Sequence, residues 1–141
     1  MNASKLRFFS KLQHAAHVAK KAADRELMAV AGITTAQAAV LTTVAARTDA
    51  TQKHVATTLG LNESAVAAMV DRLIKQGAVD RVRSGTDKRA WVLTLSNEGR
   101  DLLARVAVPF DAINARIDGV VNSAELDRVT QALARIRGEF S

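Results

Sequence analysis

Basic side chains gather around one short turn in the middle of the chain. Arg81, Arg83, Lys88 and Arg89 lie between positions 81 and 89 and are opposed there by one acid, Asp87. Ammonium and guanidinium groups bind phosphate oxygens. The cluster therefore indicates either a solvated surface, which is the commoner meaning of a charge run, or a surface for an anionic polymer.

Two further segments carry side chains that suit DNA. Thr51, Gln52 and Lys53 begin a predicted helix, where charge, side-chain donors and the helix dipole all favour a phosphate. A second predicted helix follows, and the residues that we expect it to present to DNA are Asn62, Ser64, Ala65, Ala68, Arg72 and Lys75. The alanines can only pack against thymine methyl groups, and the two polar residues at the start could equally serve as helix caps.

Residue patterns for catalysis or metal binding are weak. The chain has no Cys, which excludes thiolate metal sites and disulfides. His14 and His17 stand three positions apart and could meet a carboxylate or a metal, although two histidines at a helical interface is the favoured interpretation. Asp24 and Glu26 are expected to be solvated charges on a helix. We therefore expect no enzyme, no metal and no cofactor.

Composition is consistent with a small DNA-binding protein. The 141 residues suit one domain, the formal net charge is +6, and the sequence pI is about 10.3. Hydrophobic residues make up 48% of the chain and aromatic residues 4%. The sequence shows neither a secretory signal nor an 18-residue apolar run, so a cytoplasmic location is expected.

The positioning elements follow from apolar periodicity, capping residues and glycines. In chain order they predict helices over about 5–30, 35–47, 52–59 and 63–76, a β-hairpin over 79–95, a helix from 97 that Pro109 kinks or breaks near Val108, and a final helix capped by Ser123. Gly32 and Gly60 are expected to end helices, and Thr34 or Thr35 to cap the second one. The predicted helices over 52–59 and 63–76 should share a core, whose members are Val55, Leu59, Leu61, Val66, Val70 and Leu73. This pattern is mainly α with a small hairpin, a winged helix-turn-helix.

An apolar stripe on the last helix implies a partner. Leu126, Val129, Leu133, Ile136 and Phe140 repeat every three or four residues, and no further chain remains to cover them. We expect residues 1–30 and 97–141 to form a dimerisation region and residues 35–95 to form the DNA-binding lobe, all within a single chain unit, 1–141.

The order of elements resembles the MarR family of bacterial winged-helix regulators over nearly the whole chain. The run from Val55 through Gly60 to the sequence at 70–73 is similar to that family's helix-turn-helix. More specific is Asp87-Lys88-Arg89, followed after five residues by Leu95-Ser96 and then Gly99, which resembles the family's wing signature with Ser in place of the usual Thr.

The resemblance implies a homodimer that binds double-stranded DNA as a transcriptional regulator, commonly a repressor released by a small aromatic or anionic effector. Its operator would be an inverted repeat with half-sites about 34 to 36 Å apart. Asp87 would brace an arginine, and a cation among Arg83, Lys88 and Arg89 would enter the minor groove. The effector pocket would lie between the first, second and fifth helices, near His14 and His17. The alternative is a winged-helix module that binds protein instead of DNA, for which a neutral wing would be expected.

Overall fold

A computed structural model describes residues 3–85 and 90–141 of the chain, with side chains from residue 6 onward. This part contains six helices and one antiparallel pair of strands. They are α1 (Ala3–Ala31), α2 (Thr35–Ala45), α3 (Gln52–Leu59), α4 (Glu63–Lys75), β1 (Val79–Arg83), β2 (Trp91–Leu95), α5 (Asn97–Asp118) and α6 (Ser123–Phe140). The prediction of a mainly helical winged helix-turn-helix is confirmed.

The chain divides into two compact units, Met1–Pro109 and Phe110–Ser141. The core of the first unit is built from aliphatic side chains that every one of its elements contributes. Its fully buried large side chains include Leu27, Ile33, Val40, Leu41, Val55, Val66, Val70, Leu73, Val79 and Leu93. The assignment of residues 35–95 to DNA binding, and of 1–30 and 97–141 to dimerisation, stays a prediction.

The connection between α1 and α2 is tied by Asp24. One carboxylate oxygen accepts hydrogen bonds from the Thr35 backbone N–H (2.8 Å) and hydroxyl (2.7 Å), and the other pairs with Lys20 Nζ at 2.8 Å. Burial raises the pKa of Asp24, but the hydrogen bonds from Lys20 and Thr35 outweigh it and leave the pKa lowered. The expectation of a solvated Asp24 is wrong, because Thr35, eleven residues away, folds back onto it.

Local capping signals account for most helix ends. Gly32 takes φ +67° after α1, and Thr34 caps α2 in a reciprocal pair of hydrogen bonds with Gln37. Thr51 caps α3, and Gly60 ends it at φ +65°, as predicted. Helix α2 ends at Ala45, slightly before the predicted boundary.

The shared core of α3 and α4 is smaller than predicted. Val55, Val66, Val70 and Leu73 are fully buried, whereas Leu61 is 41% exposed. Leu61 lies in the turn between the two helices, where its side chain falls outside the helical faces that meet. Its inclusion in the core is therefore wrong.

The hairpin is joined to the helices at its base. Val79 pairs with Leu95 at one end of the ladder and Arg83 with Trp91 at the other. The Leu93 N–H donates to the Ala50 carbonyl at 2.7 Å, and the Ser96 N–H donates to the Ala78 carbonyl at 3.0 Å. These bonds hold the wing to the segment before α3 and to the start of α5.

Helix α5 is continuous through Pro109, so the break predicted as one of two alternatives near Val108 is wrong, and the kink stays a prediction. A proline removes one backbone N–H, and the helical hydrogen bonds on either side of it remain. The prediction that Ser123 caps α6 is also wrong, because Asn122 is the cap and Ser123 is the first helical residue. The Asn122 side-chain oxygen accepts from the Glu125 backbone N–H, and the Asn122 backbone N–H donates to the Glu125 carboxylate.

Helix α6 carries no buried side chain. Val129 is 48% exposed, Leu133 44% and Phe140 87%. No single helix in the described residues is long and apolar enough to cross a membrane. Among these residues, only α1 from Leu6 and α2 taken together reach that length and hydropathy, and the two helices are bent by 70° relative to each other.

Candidate nucleic-acid interface

The N-terminus of α4 is organised around Asn62. Its side-chain oxygen accepts hydrogen bonds from the Ala65 backbone N–H and from the Ser64 hydroxyl, both at 2.8 Å. Because that oxygen is occupied, the polar group that Asn62 can offer to DNA is its N–H2 donor, and Ser64 offers an oxygen acceptor. Both residues are exposed, so capping and base contact are compatible at this position.

The remaining predicted residues of α4 fall into two groups. Ala65 is half-buried and Ala68 is exposed, so the first two turns present small apolar side chains. Arg72 and Lys75 are exposed in the last turn, where they also complement the C-terminal end of the helix dipole. The polar side chains that can contact bases, Asn62 and Ser64, therefore lie at the start of α4, and its cations lie at its end.

Arg81 connects the wing to both helices of the helix-turn-helix. Its Nη2 donates to Gln52 Oε1 at 2.6 Å and to Asp71 Oδ1 at 2.8 Å. The Arg81 side chain is 37% exposed and the Asp71 side chain 57%, so the ion pair lies at the surface. The charge that the sequence assigns to the wing at this position is thus paired within the protein.

Arg83 and Trp91 face each other across the hairpin. The Arg83 guanidinium carbon lies 4.0 Å from the centre of the Trp91 ring, in cation–π contact. Trp91 is 48% exposed, so it does not pack the hairpin against the core. The indole instead forms a surface on the wing strand.

One recess brings the N-terminus of α3 and the wing together. It is lined by Thr51, Gln52, Lys53, Arg81, Ala90, Trp91 and Leu93. The Thr51 oxygen accepts from the His54 N–H at 3.1 Å, which leaves its hydroxyl hydrogen as a donor, and Lys53 is exposed. Sequence reasoning assigned these residues separately to phosphate contacts and to the wing, and the fold places them around one opening.

Three predicted wing residues, Asp87, Lys88 and Arg89, lie outside the described residues. The bracing by Asp87, and the identity of the cation in the minor groove, stay predictions.

The predicted effector residues lie on the outer surface of α1. His14 and His17 are exposed and line a shallow recess with Ser10, Gln13 and Ala16, all from the same helix. Over residues 3–85 and 90–141, no group of three or more His, Asp or Glu side chains could hold a metal ion. A role for the two histidines in ligand binding stays a prediction.

Sequence reasoning missed Asp71. It lies ten positions before Arg81 and on a different element, so no helical or strand periodicity relates the two residues. The one available signal is that an acid within a predicted DNA-facing helix repels phosphate unless a cation pairs with it.

Known proteins agree with the fold and with the winged helix-turn-helix. A family model described as the MarR family matches residues 31–90. One similar solved structure is that of the repressor CouR, a Rhodococcus jostii RHA1 protein, bound to a 23-mer DNA duplex. CouR in that structure is 29% identical to this chain, the match covers 90% of this chain and 89% of that chain, and the TM-score is 0.83. A search of curated protein sequences finds no significant match.

Two further solved structures match over 99% or more of the chain. PcaV of Streptomyces coelicolor, in complex with its natural ligand, is 25% identical, with 100% of both chains covered and a TM-score of 0.80. MepR of S. aureus, in complex with DNA, is 18% identical, with 99% of this chain and 100% of that chain covered and a TM-score of 0.85, which shows the fold. With a family model over residues 31–90 and two regulators over nine-tenths or more of its length, the chain is similar to the MarR family of transcriptional regulators.

Proposed function

We propose that this protein is a sequence-specific, double-stranded-DNA-binding transcriptional repressor that acts as a homodimer and is released by a small-molecule effector. The observation that carries the proposal is the recess formed by the N-terminus of α3 and the base of the wing. It joins a helix terminus, Lys53 and an exposed indole. CouR, the 29% identical relative, is a repressor that binds a DNA duplex.

Each DNA-facing element has a distinct task in this proposal. The start of α4 enters the major groove, where Asn62 donates to bases or phosphates and Ala65 and Ala68 contact thymine methyl groups. Thr51 and Lys53 hold the phosphate backbone beside it. The wing, whose cations include Arg83, Lys88 and Arg89, follows the minor groove.

A homodimer is proposed because α6 exposes an apolar stripe along its length. Val129, Leu133 and Phe140 are each more than two-fifths exposed. Burying such a stripe against a second copy removes apolar surface from water and places two lobes on one duplex. An inverted repeat with half-sites about one helical turn apart is the matching operator.

The effector proposal rests on the relatives. PcaV binds its natural ligand, and CouR binds p-coumaroyl-CoA. A small aromatic or anionic compound would release the operator if it binds one dimer geometry better than the other. His14 and His17 are the candidate contacts on α1. Because the proposed partner is chromosomal DNA, the proposed location is the cytoplasm.

Protein binding through the wing is the second candidate. Against it stands the basic character of the wing region, with Lys53 at the edge of the same recess. Catalysis is not proposed, since the family consists of regulators and the recess is lined by donors and apolar groups.

The test is duplex binding over a series of salt concentrations. We expect the protein to select an inverted repeat from a pool of duplexes, and to bind it more weakly as salt rises because bound cations release counterions. Light scattering should give a dimer at micromolar concentration. A scrambled duplex of equal length is the control, and equal affinity for both duplexes, or a monomer, would contradict the proposal.

A further inference from the structure

The contacts of Arg81 restrict what Gln52 can offer to a ligand. Arginine is a donor only, so the Gln52 atom 2.6 Å from Arg81 Nη2 must be the amide oxygen. The other end of the amide then carries its two N–H donors. Without Arg81, the amide could rotate by half a turn and present its oxygen instead.

Asp71 holds the arginine in that position. It accepts from the same Nη2 at 2.8 Å, so the two hydrogens of one nitrogen serve one acceptor on α4 and one on α3. The resulting chain, which we call the Asp71–Arg81–Gln52 relay, runs from the recognition helix through the wing strand to the first residue of α3. Asp71 and Gln52 belong to elements that must be correctly spaced for both to reach Arg81.

We infer that Asp71 and Arg81 are positioning residues that hold the Gln52 amide with its N–H2 group available to a DNA phosphate. The inference rests on the proposed function. Gln52 lines the recess beside Lys53, at a helix N-terminus that favours an anion, so a donor in this place attracts phosphate and an acceptor repels it. Arg81 thereby holds the Gln52 side chain in place through contacts within the protein. Lys53 is the cation that neutralises phosphates at the edge of the recess.

The test is a mutant cycle in which the operator affinity of the full-length dimer is measured for each variant and for their combination. Gln52→Met removes the donor, and the paired change Asp71→Asn with Arg81→Met removes the brace with no change in net charge. We expect each to weaken operator binding by about tenfold, as for loss of a hydrogen bond to a charged group. The triple variant should be no weaker than the brace variant, because an unbraced amide contributes little.

Lys53→Met is the matched control on the neighbouring residue. It should lower the slope of log affinity against log salt by about one unit, by the same amount with or without the brace. The Gln52 and brace variants should keep the wild-type slope, because neither removes a cation that contacts phosphate.

Gln52→Glu keeps the test decisive if the brace variant unfolds. A carboxylate can still accept from Arg81, so the unfolding temperature should not fall, whereas its second oxygen repels phosphate and operator affinity should fall further than for Gln52→Met. Additive losses, giving roughly a hundredfold effect in the triple variant, would overturn the inference. Wild-type affinity in Gln52→Met or Gln52→Glu would also overturn it. Failure of the wild-type protein to bind any duplex would instead overturn the proposed function.

Discussion

Replacing Gly99 with alanine should loosen the junction between the wing and α5. A Cβ built on Gly99 would lie 2.1 Å from the Ala78 carbonyl oxygen and 3.1 Å from its carbon, where real Cβ contacts stay above 3.0 Å. The two backbones must therefore separate by about 0.9 Å, the difference between 3.0 and 2.1 Å. The same carbonyl accepts from the Ser96 N–H, and the Ser96 hydroxyl bridges the Gly99 N–H and the Gly77 carbonyl, so the separation strains this whole junction.

The magnitude follows from three contributions. Forcing a methyl group into a filled site costs about 1 to 3 kcal/mol. Loss of one junction hydrogen bond adds about 1 kcal/mol. The gain from replacing glycine by alanine in a helix offsets about 0.5 to 1 kcal/mol. We therefore expect Gly99→Ala to lower the free energy of unfolding by about 1 to 3.5 kcal/mol.

Urea unfolding followed by far-UV circular dichroism, at one fixed protein concentration, measures this difference. Gly138→Ala in α6 is the matched control, because a Cβ there meets nothing within 4 Å. It should leave stability unchanged or raise it by up to about 1 kcal/mol. A Gly99→Ala protein that unfolds at the wild-type urea concentration would refute the reasoning from the Ala78 contact.

Three further predictions concern the α1–α2 connection and the wing. Folding lowers the pKa of Asp24 from 3.8, so the stabilisation that its carboxylate gives is complete above that value and is lost as the pH falls through the folded pKa. Asp24→Asn should therefore reduce the loss of unfolding free energy below about pH 5. An unchanged dependence of unfolding free energy on pH would count against this prediction. Arg89→Ala should weaken operator binding by about 1 to 3 kcal/mol at physiological salt, and an equal dissociation constant by fluorescence anisotropy would argue against a wing contact. Trp91 is the single tryptophan, so its emission should change when operator is added and when Arg83→Ala removes the cation–π contact; emission that responds to neither would place the indole away from both.

The parts of the fold that sequence predicted well depend on local signals. Helix α3 and its boundaries follow from Thr51 and Gly60, whose capping hydroxyl and left-handed backbone act within a few residues. The hairpin follows in the same way from alternation on both sides of a turn. Such features need no knowledge of the rest of the chain.

The errors arose where a distant partner or a choice between adjacent residues decides the outcome. Asp24 is tied to Thr35 by the fold-back of α2, and Arg81 is paired by Asp71 and Gln52, none of which periodicity relates. At α6, Asn122 and Ser123 are both good caps, and the hydrogen bond that the Asn122 backbone N–H donates to the Glu125 carboxylate favours the first.

The small side chains on α4 give the protein an unusual freedom to change its target. Ala68 is exposed, and arginine has nearly the helix propensity of alanine, so a substitution there costs the fold little. In the proposed function, one codon change could add a guanine-reading group to a face that now reads thymine methyl groups. Paralogues with new operators are then within a few mutations of this sequence, because the relay and the Ser96 junction hold the lobe in shape while the reading face varies.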